Sequence, residues 1–371
     1  MPPAHTLRKG TTVSASLRLS RRARTGGVAV ALCLLAAACG SSSKSSSGGG
    51  GSVTLNGSGS TFQKTFDQVT IAAFHSQNPS VTINYAGGGS GKGKTDLQTK
   101  TVDFAGTDSL IKDADKSKYQ GGTVLYFPTV VAPVTLSYNV SGVHGLKLSA
   151  PTIAKIFEGK VSKWNDAAIA ADNPGTTLPS TSIIAVHRAD ASGTTNNFTH
   201  YLTLAGGPDW TLGTGDTVNW PSGTGALAAT GNQGVATTIT QNQGAIGYVD
   251  YSDAVASNLS FAAIKNSAGD YVVPTLAGAS AAADGATIKP DLTYSPLNSP
   301  GAGAYPITAP TWIIVYEKQT DKAKGTALKN YLTFVLSSDG QKLAQPAKYA
   351  PLPASLLQKA NAQLSQLQIP A

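Results

Sequence analysis

The chain has 371 residues, long enough for two domains that each bury a substantial core. Hydrophobic residues make up an ordinary 41%, charged residues only 13%, and 40 glycines point to many tight turns and backbone-lined loops. The net charge of +8 comes mostly from Arg8, Lys9, Arg18, Arg21, Arg22 and Arg24 ahead of Cys39; without them 22 basic residues face 20 acidic ones, which leaves no basis for a nucleic-acid surface.

The basic stretch Arg18 to Arg24 precedes an apolar run, Val28 to Ala38. At about 11 residues this run is too short to span a bilayer and suits the core of a signal peptide, so residues 1–38 are expected to be an export signal. Ala36-Ala37-Ala38-Cys39 resembles the lipobox of bacterial lipoproteins, in which the cysteine after the cleavage point carries the lipid. Leu35 stands one place earlier than in the usual pattern, and the alternative is an ordinary signal peptide cut after a small residue. Ser20-Arg21-Arg22 leaves open a twin-arginine route beside the general secretory one. Cys33 and Cys39 are the only cysteines, so the mature fold has no disulfide to make. Residues 39–51 then read as the lipid-anchor cysteine and a flexible Ser/Gly tether, whose random-coil span is about 20 Å. These features place the protein on the outer face of the cytoplasmic membrane, held by lipid alone.

From Val53 onward short apolar strands alternate with helical stretches, the pattern of an α/β fold. Val53 to Leu55 predicts a strand; Phe62, Phe66, Val69 and Ala73 predict a helix from about Thr61. Val81 to Tyr85 is the next strand, then a Gly-rich loop and a short helix near Leu97, then a third strand over Val102 to Ala105. Two longer β-rich stretches, Val124 to Tyr138 and Tyr305 to Tyr316, read as strands that carry the chain between two lobes. Lobe I is then 52–130 plus 304–371, and lobe II is 131–303; a sequential two-domain arrangement is the alternative. Ser267 to Pro290, rich in Ala, Gly and Asp, gives no clear element.

Three segments share one design of strand, small-residue loop and helix start: Gly57-Ser58-Gly59-Ser60-Thr61-Phe62, Gly87-Gly88-Gly89-Ser90-Gly91 and Ala191-Ser192-Gly193-Thr194-Thr195. The first turn of a helix leaves about four backbone N–H groups unpaired and adds partial positive charge. Glycines let an anion approach, and hydroxyls add donors. Any one loop alone is better read as an ordinary helix cap; three in alternation point to an oxyanion site. Arg188, after Ile183-Ile184-Ala185-Val186, supplies a forked donor, and Asp190 a partner to hold it. Asp108 follows Val102-Asp103-Phe104-Ala105-Gly106-Thr107. A carboxylate suits an anion site only when the anion carries a proton to donate, as phosphate does and sulfate does not.

Those segments, in that order, resemble the PstS family of phosphate-binding proteins of bacterial ABC importers. Lys155-Ile-Phe-Glu-Gly-Lys-Val-Ser-Lys-Trp164-Asn-Asp, Asn173-Pro-Gly and Gly244-Ala-Ile-Gly-Tyr-Val-Asp-Tyr251 carry the likeness along the chain from about Val53 to the C-terminal region, and it is weakest over 255–300. The resemblance implies a two-lobed type II periplasmic-binding-protein fold with two crossover strands as hinge. It puts Thr61 and Phe62 (through backbone N–H), Ser90, Asp108, Arg188, Ser192, Gly193 and Thr194 on inorganic phosphate, with Asp190 supporting Arg188. It further implies no catalysis, no cofactor and no metal, a monomer, and the permease subunits of the importer as partner. Two departures are Ser109-Leu110 where relatives often have a proline, and Lys92 and Lys94 in the Gly-rich loop.

The same residues admit rival readings. Gly88 to Thr95 fits the P-loop pattern G-x-x-x-x-G-K-[ST], so a nucleotide-binding protein is one, although export removes it from ATP. A secreted phosphatase is another, although His75, His144, His187 and His200 lack metal-ligand spacing. A third keeps the fold and changes the oxyanion, with Asp108 as the discriminator.

Overall fold

The structure, a computed structural model, describes residues 52–371, which belong to one compact unit with its own core. The signal segment, Cys39 and the Ser/Gly tract lie outside the described residues. Among the described residues no helix is long and apolar enough to cross a membrane.

A nine-stranded sheet organises the molecule. Its strands in chain order are β1 (Val53–Gly59), β2 (Val81–Gly87), β3 (Phe104–Thr107), β4 (Val124–Asn139), β5 (Ile184–Arg188), β6 (Leu227–Ala229), β7 (Ala245–Asp250), β8 (Ser260–Phe261) and β9 (Thr308–Tyr316). The spatial order is β2-β1-β3-β9-β4-β7-β5-β6, with β8 also on β4. β1 pairs in parallel with β2 and β3, while β5 pairs in parallel with β6 and β7, so each half is a small βαβ sheet. β4 joins the halves: Val124 to Pro133 pairs with β9, and Val134 to Asn139 pairs with β7. Its near-continuous burial explains its mainly apolar sequence, with Thr129, Thr135 and Ser137 as its buried polar residues. Pro128 is accommodated at a bulge, where the register with β9 shifts between Thr311 and Trp312. This is a two-lobed type II periplasmic-binding-protein fold.

The predicted strand–loop–helix units are present. α1 (Lys64–Gln77) follows β1, α2 (Ser90–Gln98) follows β2, and α3 (Gly193–Ala205) follows β5. α1 buries Phe66, Thr70 and Phe74, spaced four apart on one face. It starts at Lys64 rather than near Thr61 because the Ser60 hydroxyl receives the N–H groups of Phe62 (2.9 Å) and Gln63 (3.4 Å), holding a bend there. The third strand lies at Phe104–Thr107, two residues later than predicted, and the late one starts at Thr308. A fourth unit of the same design joins β6 to α4 (Gly231–Gln241) through Thr230.

Residues 255–300 hold a helix, Leu276–Asp284, whose buried Ala279, Ala282 and Ala283 let it lie close on β4. The same region contributes Ala263–Lys265 and Tyr271–Val272 to a separate three-stranded sheet with Lys147–Leu148.

Candidate functional site

The C-terminal ends of β1, β2, β3 and β5, with the loops and helix starts that follow β1, β2 and β5, meet where the two halves of the sheet face each other. Asp108, just past β3, is 3% exposed. Its Oδ1 accepts from Ser60 Oγ at 2.6 Å and from Thr311 Oγ1 at 2.8 Å, and its Oδ2 from Ser90 Oγ at 3.2 Å. Its own N–H donates to Ser90 Oγ at 3.1 Å. Burial pushes this carboxyl up to about 6; the Ser60 and Thr311 hydroxyls, the Arg188 charge and the Ser90 hydroxyl oppose the rise without cancelling it.

Arg188, the last residue of β5, is 4% exposed. Its Nε donates to Asp190 Oδ1 at 2.8 Å and its Nη2 to Asp190 Oδ2, a forked pair that leaves Nη1 pointing to Thr194 Oγ1 at 3.4 Å. Burial acts first to raise Asp190, but the Arg188 hydrogen bond and charge outweigh it, so this carboxyl is held below the ordinary range. Gly231 N–H also donates to it at 3.0 Å. Ser192 caps α3, its Oγ accepting from Thr195 N at 3.2 Å.

The two halves touch across the site. A Cβ built on Gly193 would stand 2.5 Å from Ser90 Oγ and 2.8 Å from Asp108 Oδ2, and one on Gly89 would meet Ala191 O at 2.4 Å. Both positions therefore need the missing side chain for close approach, and Gly89 also has φ +89°. Gly91 N–H donates to Ala191 O at 3.0 Å. Asn197 Nδ2, one turn into α3, donates to Asp108 O at 2.6 Å. Lys94 Nζ pairs with Asp216 at 2.6 Å, with both side chains largely shielded.

Ser90, Asp108, Arg188, Asp190, Ser192, Gly193 and Thr194 thus come together. Thr61 borders them: its Oγ1 accepts from Asn232 N and Nδ2, both at 3.2 Å. Phe62 is buried beside them, but its N–H is turned to Ser60 Oγ. Four further residues belong to the cluster. Ser60 was legible inside its glycine-rich motif. Asn232, which also donates to Thr194 Oγ1 at 3.1 Å, opens the fourth strand–loop–helix unit and could have been found by its Thr-Gly-Asn-Gln-Gly run. Thr311 lies in an apolar strand and Asn197 within a helix; neither carries a local signal.

The two lysines of the Gly-rich loop are accounted for. Lys92 pairs with Asp96 at 2.6 Å on its own helix. Lys94, the lysine of the P-loop pattern, is engaged by Asp216, by Ser109 Oγ at 2.9 Å and by Leu110 O at 3.3 Å, so it faces away from a cradle over the loop. His187 stacks on the Trp220 ring at 4.9 Å rather than entering the site.

The family model of the PBP superfamily domain matches residues 44–339. The chain is 36% identical over 318 residues to the phosphate-binding protein PstS of Xylella fastidiosa, covering 84% of this chain and 85% of that one. It is 36% identical over 313 residues to phosphate-binding protein PstS 3 of Mycobacterium leprae, covering 81% and 84%. Among solved structures it is similar to a high-affinity periplasmic phosphate-binding protein, PfluDING, with phosphate bound (TM-score 0.70, 24% identity, 85% of this chain and 96% of that one). A phosphate-binding protein from Stenotrophomonas maltophilia has the same fold (TM-score 0.66, 20% identity, 84% and 94%). With most of its length matched by the family model and by relatives more than 30% identical, the chain belongs to the PBP superfamily and, within it, to the PstS family.

Proposed function

We propose that this chain captures inorganic phosphate between its two lobes, outside the cytoplasmic membrane, and delivers it to the permease subunits of an ABC importer. Lobe I is 52–130 with 304–371, and lobe II is 131–303. The protein acts as a monomer, tethered through a lipid on Cys39 after removal of residues 1–38.

One observation carries the reading: a buried guanidinium and a buried, hydroxyl-ringed carboxylate stand at one small cluster of hydroxyls and helix starts. Arg188, Ser192, Gly193, Thr194 and the N–H groups opening α3 bind the charged oxygens from one lobe. Thr61, Phe62 and Ser90 add donors from the other, and Asp108 accepts the ligand's proton. For Phe62 this requires its N–H to leave Ser60 Oγ when the ion enters. Hydrogen bonds to charged groups contribute about 1.5–3 kcal/mol each, so a handful reaches micromolar affinity, about −8 kcal/mol, after the cost of closure. The ion contacts both lobes and so shifts the molecule toward the closed form.

Calorimetry with phosphate, sulfate and ATP on residues 52–371 tests the reading. Phosphate is expected to bind at micromolar concentration or below, sulfate weakly and ATP not at all. Equal binding of phosphate and sulfate would remove the role given to Asp108, and tight ATP binding would restore the P-loop alternative.

A further inference from the structure

Beneath the site lies a second buried carboxyl that the ligand contacts leave unused. Asp67, in the first turn of α1, is 1% exposed, and Gln63 and Thr311 above it are fully buried. Gln63 Nε2 lies 2.9 and 3.2 Å from the two Asp67 oxygens, and the other end of the same amide meets Thr311 Oγ1. Thr311 Oγ1 in turn lies 2.8 Å from Asp108 Oδ1 and 3.2 Å from Thr107 O. An unbroken chain of polar groups therefore runs from Asp67 through Gln63 and Thr311 to the carboxylate of the site.

Counting protons along this chain restricts its states. Thr311 has one O–H and three acceptors around it, so only one acceptor receives its proton. The two ends of the Gln63 amide exchange by a half-turn of its last bond. If Asp67 is ionised, Gln63 must aim its N–H₂ at it, and the amide oxygen then takes the Thr311 proton. Thr311 would turn a lone pair toward Asp108, a contact that holds only when Asp108 is itself protonated. If Asp67 carries a proton, Gln63 is the one side-chain partner recorded for its O–H, which finds an acceptor when the amide turns over: Asp67 donates to the Gln63 oxygen, Gln63 donates to Thr311, and Thr311 donates to Asp108, which stays an acceptor.

The surroundings choose between these states. The groups facing Asp67 are Gln63 on its own helix, Asp108 after β3, Tyr85 on β2 and Tyr331 on the helix Lys322–Val335. Among the described residues no cation is found among the groups acting on it. An ionised Asp67 would be a second buried anion beside Asp108, with the Gln63 amide but no counterion against it, at a cost of several kcal/mol. Burial raises its carboxyl well above the ordinary range; the Gln63 hydrogen bond lowers it, and the Asp108 charge raises it further.

We propose that Asp67 is a proton-bearing carboxylic acid at neutral pH and a specificity-setting positioning residue, whose O–H orients Gln63 and Thr311 so that Asp108 remains a proton acceptor. This deepens, and rests on, the reading of Asp108 as the group that selects a protonated oxyanion. A protonated Asp108 would offer a donor and admit sulfate; the proton on Asp67 prevents that exchange.

Infrared difference spectra of the ligand-free protein at neutral pH give the first test. Asp67→Asn is expected to remove one protonated-carboxyl C=O band; an unchanged spectrum would overturn the proposal. Binding gives the second. Asp67→Asn, neutral and able to donate, keeps the phosphate-to-sulfate affinity ratio within about threefold of the native chain. Asp67→Leu, Gln63→Leu and the near-isosteric Thr311→Val each lower that ratio at least tenfold and move the acid limb of phosphate binding to higher pH. Thr311→Val and Gln63→Leu proteins that melt like the native chain but keep its ratio and pH profile would refute the relay. If the native chain bound no phosphate, the functional reading would fail, while the infrared band would still decide whether Asp67 holds the proton.

Discussion

The two sides of the site bury opposite charges in opposite ways. Arg188 is matched by Asp190 two residues along the same segment, a forked pair completed by Gly231 N–H. Asp108 has no such partner: three hydroxyls, from Ser60, Ser90 and Thr311, converge on it from elements 48, 18 and 203 residues away. The cation is settled locally before any ligand arrives, whereas the carboxylate is left under-compensated, and burial lifts it to about 6. A buried charge with a built-in counterion is a fixed donor; one held only by hydroxyls can respond to protons. The site is therefore rigid on the Arg188 side and titratable on the Asp108 side.

The largest effect is expected from breaking the rigid side. Arg188→Ala removes the forked donor and leaves Asp190 without its counterion, so phosphate affinity in calorimetry falls at least tenfold, about 1.4 kcal/mol or more. Unchanged affinity would mean that the cation of the site lies elsewhere. Gly193→Ala tests the contact between the sides: a Cβ 2.5 Å from Ser90 Oγ and 2.8 Å from Asp108 Oδ2 holds the lobes apart. Phosphate affinity is expected to drop about tenfold, with a larger radius of gyration by small-angle scattering in saturating phosphate and little change in melting temperature.

The titratable side gives pH-dependent effects on stability and selectivity. Asp108 has a folded value of about 6 against an ordinary 3.8. A carboxyl raised on folding binds its proton more tightly in the native state. Its contribution to stability is complete below about pH 4 and is lost as pH rises through about 6. That contribution is about 2–3 kcal/mol at most. Asp108→Asn should flatten the stability curve of the ligand-free protein between pH 4 and 6, measured by urea unfolding. The same variant should let sulfate compete with phosphate at least tenfold better; an unaltered ratio would show that the two sides do not divide the labour in this way. The smallest effect is expected from the latch outside both charges. Lys94→Ala breaks the pair with Asp216, and for a partly shielded ion pair the loss is about 0.5–1 kcal/mol, no more than about fivefold in phosphate affinity.

Much of the rigid side was legible in sequence because its parts are neighbours. Arg188, Asp190, Ser192, Gly193 and Thr194 span seven positions at a strand end and a helix start, where strand periodicity and capping chemistry state the geometry directly. The titratable side was legible only in part. Asp108, Ser90 and the Ser60 motif lie at recognisable strand ends, but Thr311 is one β-branched residue in a fully buried strand, and nothing near it marks a hydroxyl aimed at a carboxylate.

The linear order of residues determined the α/β class, the long strands at Val124 and Thr308, and the three anion-type loops, because each follows from local periodicity and turn chemistry. Tertiary structure alone decided the pairing of β4 with β9, which carries Thr311 to Asp108 and sets Gln63 and Asp67 beneath it. It also decided that Lys94 turns to Asp216 rather than to the loop. The physical reason is that hydrogen bonding and burial act through space: contacts 203 residues apart cost the chain the entropy of closure and leave no repeat or spacing along the sequence by which to read them.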